Sequence, residues 1–186
     1  GQRFHKACPS SRLLDQLEQA ASLIADNRTA EAEKKLLSIL RVAPGEPAAL
    51  NLLGTVRAQQ GRQREAEALF LRAIRGDGKY VSAHMNLAHL YSLMGQPGKT
   101  ISELKQVLLL DPRNAEALNR LARLLLSRGE IEQGIDVLEQ GQKSQPLSPA
   151  LLVLLGDAHL KKGNFVKAQV QYQLALDMQS DYTDAV

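Results

Sequence analysis

Residues 51–74, NLLGTVRAQQGRQREAEALFLRAI, read as two helices that meet at a glycine. Gly54 and Ala66 are small, Leu53 and Phe70 are large, and Gly61 stands between the two helical stretches. Small residues let two helices approach closely, and large apolar ones fill the space beside them. A glycine between the helices adopts positive φ without steric cost and so ends the first of them. The stretch predicts a helical hairpin.

The pattern recurs along the chain. Repeats starting at Leu13, Pro47, Val81, Ala115 and Pro149 are each 34 residues long and need no gap through Tyr182. The eighth place holds Ala20, Gly54, Ala88, Ala122 and Gly156, and the fifteenth holds Asn27, Gly61, Gly95, Gly129 and Gly163. The twentieth holds Ala32, Ala66, Thr100, Gly134 and Ala168; the twenty-fourth holds Leu36, Phe70, Leu104, Leu138 and Tyr172. Leu53, Leu87, Leu121 and Leu155 supply the bulk beside the small eighth place. Pro97 suits the first turn of a second helix, where its missing N–H costs nothing. Pro44, Gly78, Pro112 and Pro146 each stop a second helix.

A 34-residue period with small, glycine, bulky and proline columns resembles the tetratricopeptide repeat family, in residues 51–74 and again in 154–176, LLGDAHLKKGNFVKAQVQYQLAL. The resemblance spans 13–182 and implies an all-α, right-handed superhelical α-solenoid of five helix-turn-helix hairpins, divided 13–46, 47–80, 81–114, 115–148 and 149–182. It is least complete in the first repeat, where Gln16 and Gln19 take apolar places as in a solvent-facing terminal repeat, and in the fourth, at Gly141. Residues 1–12 are expected to form a flexible N-terminal segment. Residues 183–186 resemble the start of a truncated sixth repeat or capping helix, with Ala185 in the column of Ala49, Ala83 and Ala117. The last helix, expected over 166–178, is then left uncovered.

One segment invites a different reading. Residues 94–100, MGQPGKT, end in the Gly-Lys-Thr of a phosphate-binding loop. Such a loop has a further glycine where Leu93 stands, and it follows a buried strand, whereas residues 83–94 carry helical spacing. Gly95 is the hairpin glycine, Thr100 belongs to the small column, and Lys99 shares a solvated helix column with Glu31, Glu65, Gln133 and Lys167. No nucleotide site is read there.

Composition narrows the classes further. The 186 residues are 44% hydrophobic, as in a folded chain, and only 4% aromatic with no Trp, so there is no platform for stacking bases. The net charge of +3 is too weak to imply nucleic acid. No apolar run is long enough to span a bilayer, and the N-terminus carries no apolar leader. A soluble protein follows, of the cytoplasm or exported after loss of a leader. Cys8 is the lone cysteine and forms neither an internal disulfide nor a zinc knuckle. His84 and His89 are five apart and do not share a helical face as a metal pair needs. His84 and His159 fall in columns of large apolar residues and read as packing groups. No metal, cofactor or catalytic constellation is expected, and Asp157 with Lys161, and Glu139 with Lys143, read as surface pairs one turn apart.

In each hairpin the first helix turns its fourth, seventh, eighth and eleventh residues toward its partner. The second, fifth, sixth, ninth, twelfth and thirteenth form the opposite stripe. In the superhelix that the resemblance implies, this stripe lines the concave surface. It reads Asn51, Leu52, Thr55 and Gln59, then Met85, Asn86, His89 and Ser92, then Glu116, Asn119, Arg120 and Arg123, then Asp157 and Lys161. Exposure alone also makes a stripe polar. Asn51, Asn86 and Asn119 could nevertheless bond an extended backbone, and His89, Arg120 and Arg123 could hold an acidic group. Family members that clamp chaperone tails use two lysines, two asparagines and an arginine. Asn86 and Arg120 match two of these places, but Asn51, Glu116 and Thr55 occupy the others, so the clamp is incomplete.

The expected function is a non-enzymatic protein–protein interaction module that takes an extended peptide, including one with acidic groups, in the concave groove. Two alternatives stand beside it: a substrate-recruiting arm of a larger glycosyltransferase- or sulfotransferase-type enzyme, and a scaffold that self-associates, as a homodimer through the uncovered last helix, using Phe165, Val170 and Tyr172.

Overall fold

The computed structural model describes residues 11–183, which form ten helices. These are α1 (Ser11–Ala25), α2 (Thr29–Val42), α3 (Pro47–Gln59), α4 (Gln63–Gly76), α5 (Val81–Leu93), α6 (Pro97–Leu110), α7 (Ala115–Ser127), α8 (Ile131–Ser144), α9 (Pro149–Lys161) and α10 (Phe165–Thr183). α3, α5, α7 and α9 begin at the residues where the repeat restarts. The expectations for Cys8 and Ala185 lie outside the described residues. The segment expected to be flexible up to residue 12 is helical from Ser11.

Three of the first helices have a local cause for their start. Glu46 and Ser148 cap α3 and α9 just ahead of Pro47 and Pro149, which take the first helical turn, and the Asn114 side chain accepts the Ala117 N–H at the head of α7.

The ends of the first helices share one geometry. Asn27, Gly61, Gly95, Gly129 and Gly163 have φ of 60°, 75°, 67°, 77° and 77°. At each, two reverse hydrogen bonds close the helix: the Gly61 N–H donates to the Ala58 carbonyl and the Arg62 N–H to the Arg57 carbonyl, and the other four turns repeat this pair. The arrangement satisfies carbonyls that a helix end otherwise leaves open.

The chain forms two compact units that part between Leu90 and Tyr91, inside α5. In the first, α1 packs on α2, α3 on α4, and α2 on α3. Leu17, Ala20, Leu36, Ile39, Leu53 and Val56 make one buried cluster there; Leu50, Ala73 and Ala83 make another. In the second, α7 packs on α8 and α9 on α10, around Leu118, Ala122, Leu138, Leu151, Leu152 and Leu155. The small columns are buried as their role requires: Ala20, Ala32, Ala66 and Ala122 have no exposed surface.

The last helix departs from the expected 166–178 and runs on to Thr183. Ser180 stands where Pro44, Gly78, Pro112 and Pro146 halt the other second helices, and serine neither lacks an N–H nor loosens the backbone.

Candidate functional site on the first-helix face

In the first compact unit the stripe residues split by burial. Asn51 was expected on the solvated face, yet it is only 5% exposed. The Asn86 side-chain amide donates to Asn51 Oδ1 at 2.9 Å, and the Thr55 hydroxyl donates to the Asn51 backbone carbonyl at 3.1 Å. Burial raises the Tyr80 phenol above its ordinary pKa, while its hydrogen bond with Asn51 works the other way. Asn51 is thus a strut between α3 and α5. Its side-chain oxygen serves Asn86, because a buried amide needs partners inside the fold. Met85 and Asn86 are half-buried, and His89 is exposed.

Another buried polar group, unread in the sequence, lies beneath α3. Arg57 takes the eleventh place, facing the partner helix, and pairs with Glu33 of α2 at 2.6 Å and Glu65 of α4 at 3.3 Å. Hydrogen bonds from Gln60 and Arg57 hold the Glu33 carboxyl below the usual carboxylate range.

In the second compact unit the charged stripe residues are held in defined positions. Arg120 pairs with Glu116 one turn away at 2.8 Å, and Arg123 Nε donates to Asn119 Oδ1 at 2.7 Å. Asp157 Oδ1 accepts the Tyr172 hydroxyl at 2.5 Å, and that bond pushes the Tyr172 pKa up to about 12. Arg123 and Asp157 both occupy the ninth place of their repeats, and they line one cleft of about 540 Å³ with Pro149, Val153 and Leu154 of α9 and Gln179 of α10. Lys161, at the end of α9, is exposed and is not among the residues that line the cleft. Val153 and Leu154 hold the fifth and sixth places, so the repeat register alone could have found the apolar floor. Gln179 could not be found that way, because it reaches the cleft on the unexpected extension of α10.

Four further expectations meet the structure here. Tyr172, read as part of an uncovered face, turns its ring onto Gly156 and its hydroxyl onto Asp157, so it belongs inside the α9–α10 hairpin. Phe165 and Val170 are exposed, by 68% and 50%. His84 and His159 are buried: His84 Nε2 lies 3.1 Å from the Gly78 carbonyl, and His159 Nε2 lies 3.2 Å from Glu139. Asp157 and Glu139 therefore reach Tyr172 and His159, partners that a same-helix surface pairing does not supply. At the Gly-Lys-Thr segment, Pro97 opens α6, Thr100 is buried, and the Lys99 ammonium sits 5.1 Å from the centre of the Tyr91 ring.

Comparison with known proteins accounts for this architecture. The tetratricopeptide repeat profile matches residues 17–81 and again residues 93–151. The chain belongs to the tetratricopeptide repeat family. Among sequence relatives, cellulose synthase operon protein C of Xanthomonas axonopodis pv. citri is 28% identical over 163 residues, which is 88% of this chain and 9% of that protein. The inactive peptidyl-prolyl cis-trans isomerase FKBP6 of Rattus norvegicus is 39% identical over 62 residues, 33% of this chain and 19% of that protein. The matches thus span less than a fifth of either relative's length. The crystal structure of MamA is similar at a TM-score of 0.72 and 18% identity, covering 89% of this chain and 96% of that one. YrrB, described as a tetratricopeptide protein with an unusual peptide-binding site, is similar at 0.66 and 19% identity, covering 98% and 95%. As a tetratricopeptide array the chain is a protein–protein interaction module, on a fold that is generally non-catalytic. Among the described residues no helix is long and apolar enough to cross a membrane.

Proposed function

We propose that this tetratricopeptide array binds an extended segment of a partner protein in the cleft between α7 and α9, and that it does so without chemistry of its own. One observation carries the reading. Arg123 and Asp157 are each held by a neighbour, through Asn119 and Tyr172, and stand over an apolar floor of Val153 and Leu154. A few placed polar groups around an apolar surface are what a binding site needs, and holding them beforehand lowers the entropy lost on association. YrrB, which has a similar fold, has a peptide-binding site, and we bring that property to this chain as part of the proposal.

The test is selection of peptides from a randomised displayed library on the wild-type protein, followed by measurement of the selected peptides on Val153→Asp. That variant places a charge on the floor at an already exposed position, so the fold is expected to survive. Affinity should fall at least about tenfold, as burial of an unpaired charge implies. Undiminished binding to Val153→Asp would place the site elsewhere.

A further inference from the structure

The cleft has two opposite charges in fixed register, and this restricts what it can read. Arg123 and Asp157 occupy the same place on two successive first helices and line one cleft, so the two charges come from different helices. Among the described residues, the Arg123 guanidinium is held through Nε, which leaves its paired terminal nitrogens as the donors that an incoming carboxylate would meet. Asp157 is held through Oδ1, which leaves Oδ2 as the acceptor that an incoming cation would meet.

We propose that the α7–α9 cleft selects segments that carry an acidic and a basic side chain with an apolar one between them: the acid on Arg123, the base on Asp157, the apolar group on Val153 and Leu154. This rests on the binding reading above and names its ligand class. Tyr172 acts as a positioning residue. Its ring fills the space against Gly156, while its hydroxyl fixes the carboxylate that meets the base.

The same randomised library, selected separately on four proteins, tests the assignment. On wild type, the recovered peptides should be enriched in an acidic and a basic residue with an apolar residue between. Selection on Arg123→Gln should lose the acidic preference and keep the basic one, and selection on Asp157→Asn should do the reverse. Tyr172→Phe keeps the ring, so its helix content should match wild type while the basic preference weakens, by about tenfold in affinity ratio between Lys-bearing and Gln-bearing peptides. Wild-type peptides that lack the charge pair, or preferences that survive both charge-removing variants, would overturn the charge assignment while leaving peptide binding intact. Recovery of no binding peptides at all, or of peptides indifferent to Val153→Asp, would instead overturn the cleft reading on which it depends.

Discussion

Gly54 of α3 faces the Phe70 ring of α4 so closely that a methyl group built on it would meet the ring at 2.5 Å. Gly156 stands to the Tyr172 ring in the same way, at 2.6 Å. Where the eighth place is alanine, as at Ala20 and Ala122, the twenty-fourth is leucine, Leu36 and Leu138. The two columns trade volume. The aromatic ring occupies the space that a methyl group and a smaller partner fill in other hairpins, because interiors are close-packed and leave no slack for both.

Gly54→Ala should therefore cost about 1–3 kcal/mol, the usual penalty for overpacking. Adding Phe70→Leu to the same chain should recover most of that loss, since it recreates the alanine–leucine pair. Urea denaturation of the single and double variants measures both. If Phe70→Leu recovered nothing, the ring would not be the obstacle.

The turn residues make a second pair of expectations. Gly129 has φ of 77°, a conformation that a Cβ opposes, so Gly129→Ala should lose about 1–2 kcal/mol. Asn27 holds the same conformation at 60°, and Asn27→Gly should hold stability or raise it by up to about 1 kcal/mol. Thermal melts of the two variants should move in different directions or by clearly different amounts.

Asn51 and Asn86 offer a test of strut against ligand contact. Removing either should lower stability by about 1–2 kcal/mol, because the amide left behind loses its hydrogen-bond partner inside the fold. The double variant should cost less than the two losses added together. A double-mutant cycle in denaturant reads the coupling directly; additive losses would mean the 2.9 Å bond contributes nothing in solution.

Acid should find a weak point at Glu33. Its carboxyl is held below the usual range by Gln60 and Arg57, so the folded form binds its proton less readily than the unfolded chain does. The resulting stability is present above the ordinary carboxylate pKa of about 4.3, and is lost as pH falls through the lower folded value. The difference in unfolding free energy between wild type and Glu33→Gln should be largest at neutral pH and shrink on acidification. A gap that stayed constant down to low pH would show that Glu33 does not titrate differently in the two states.

The period, the hairpin turns and the buried small columns were legible in the sequence because each rests on residues local to one repeat. Asn51 was misread for a physical reason: its stripe is solvated in general, yet Asn86 of the neighbouring helix and Tyr80 just ahead of that helix both reach this one member. Tyr172 was misread for the opposite reason. It sat in a recognised packing column, but the eighth-place glycine that receives its ring was not set against it. Among the cleft residues, Arg123 and Asp157 were visible as stripe members; their shared apolar floor and the anchors that hold them depend on how α7, α9 and α10 pack. The far end of α10 escaped because a missing stop signal at Ser180 is harder to notice than a proline.

The five reverse-bonded turns also bear on how the chain reaches its fold. Each joins two helices across a very short connection, so closing a hairpin loses little loop entropy and its contacts lie close together along the polypeptide. Chains dominated by such contacts cross their folding barriers quickly. A hairpin can then begin to form as soon as its own residues are available, without waiting for a distant segment, and the residue at each turn becomes a place where the rate of folding can be altered by substitution.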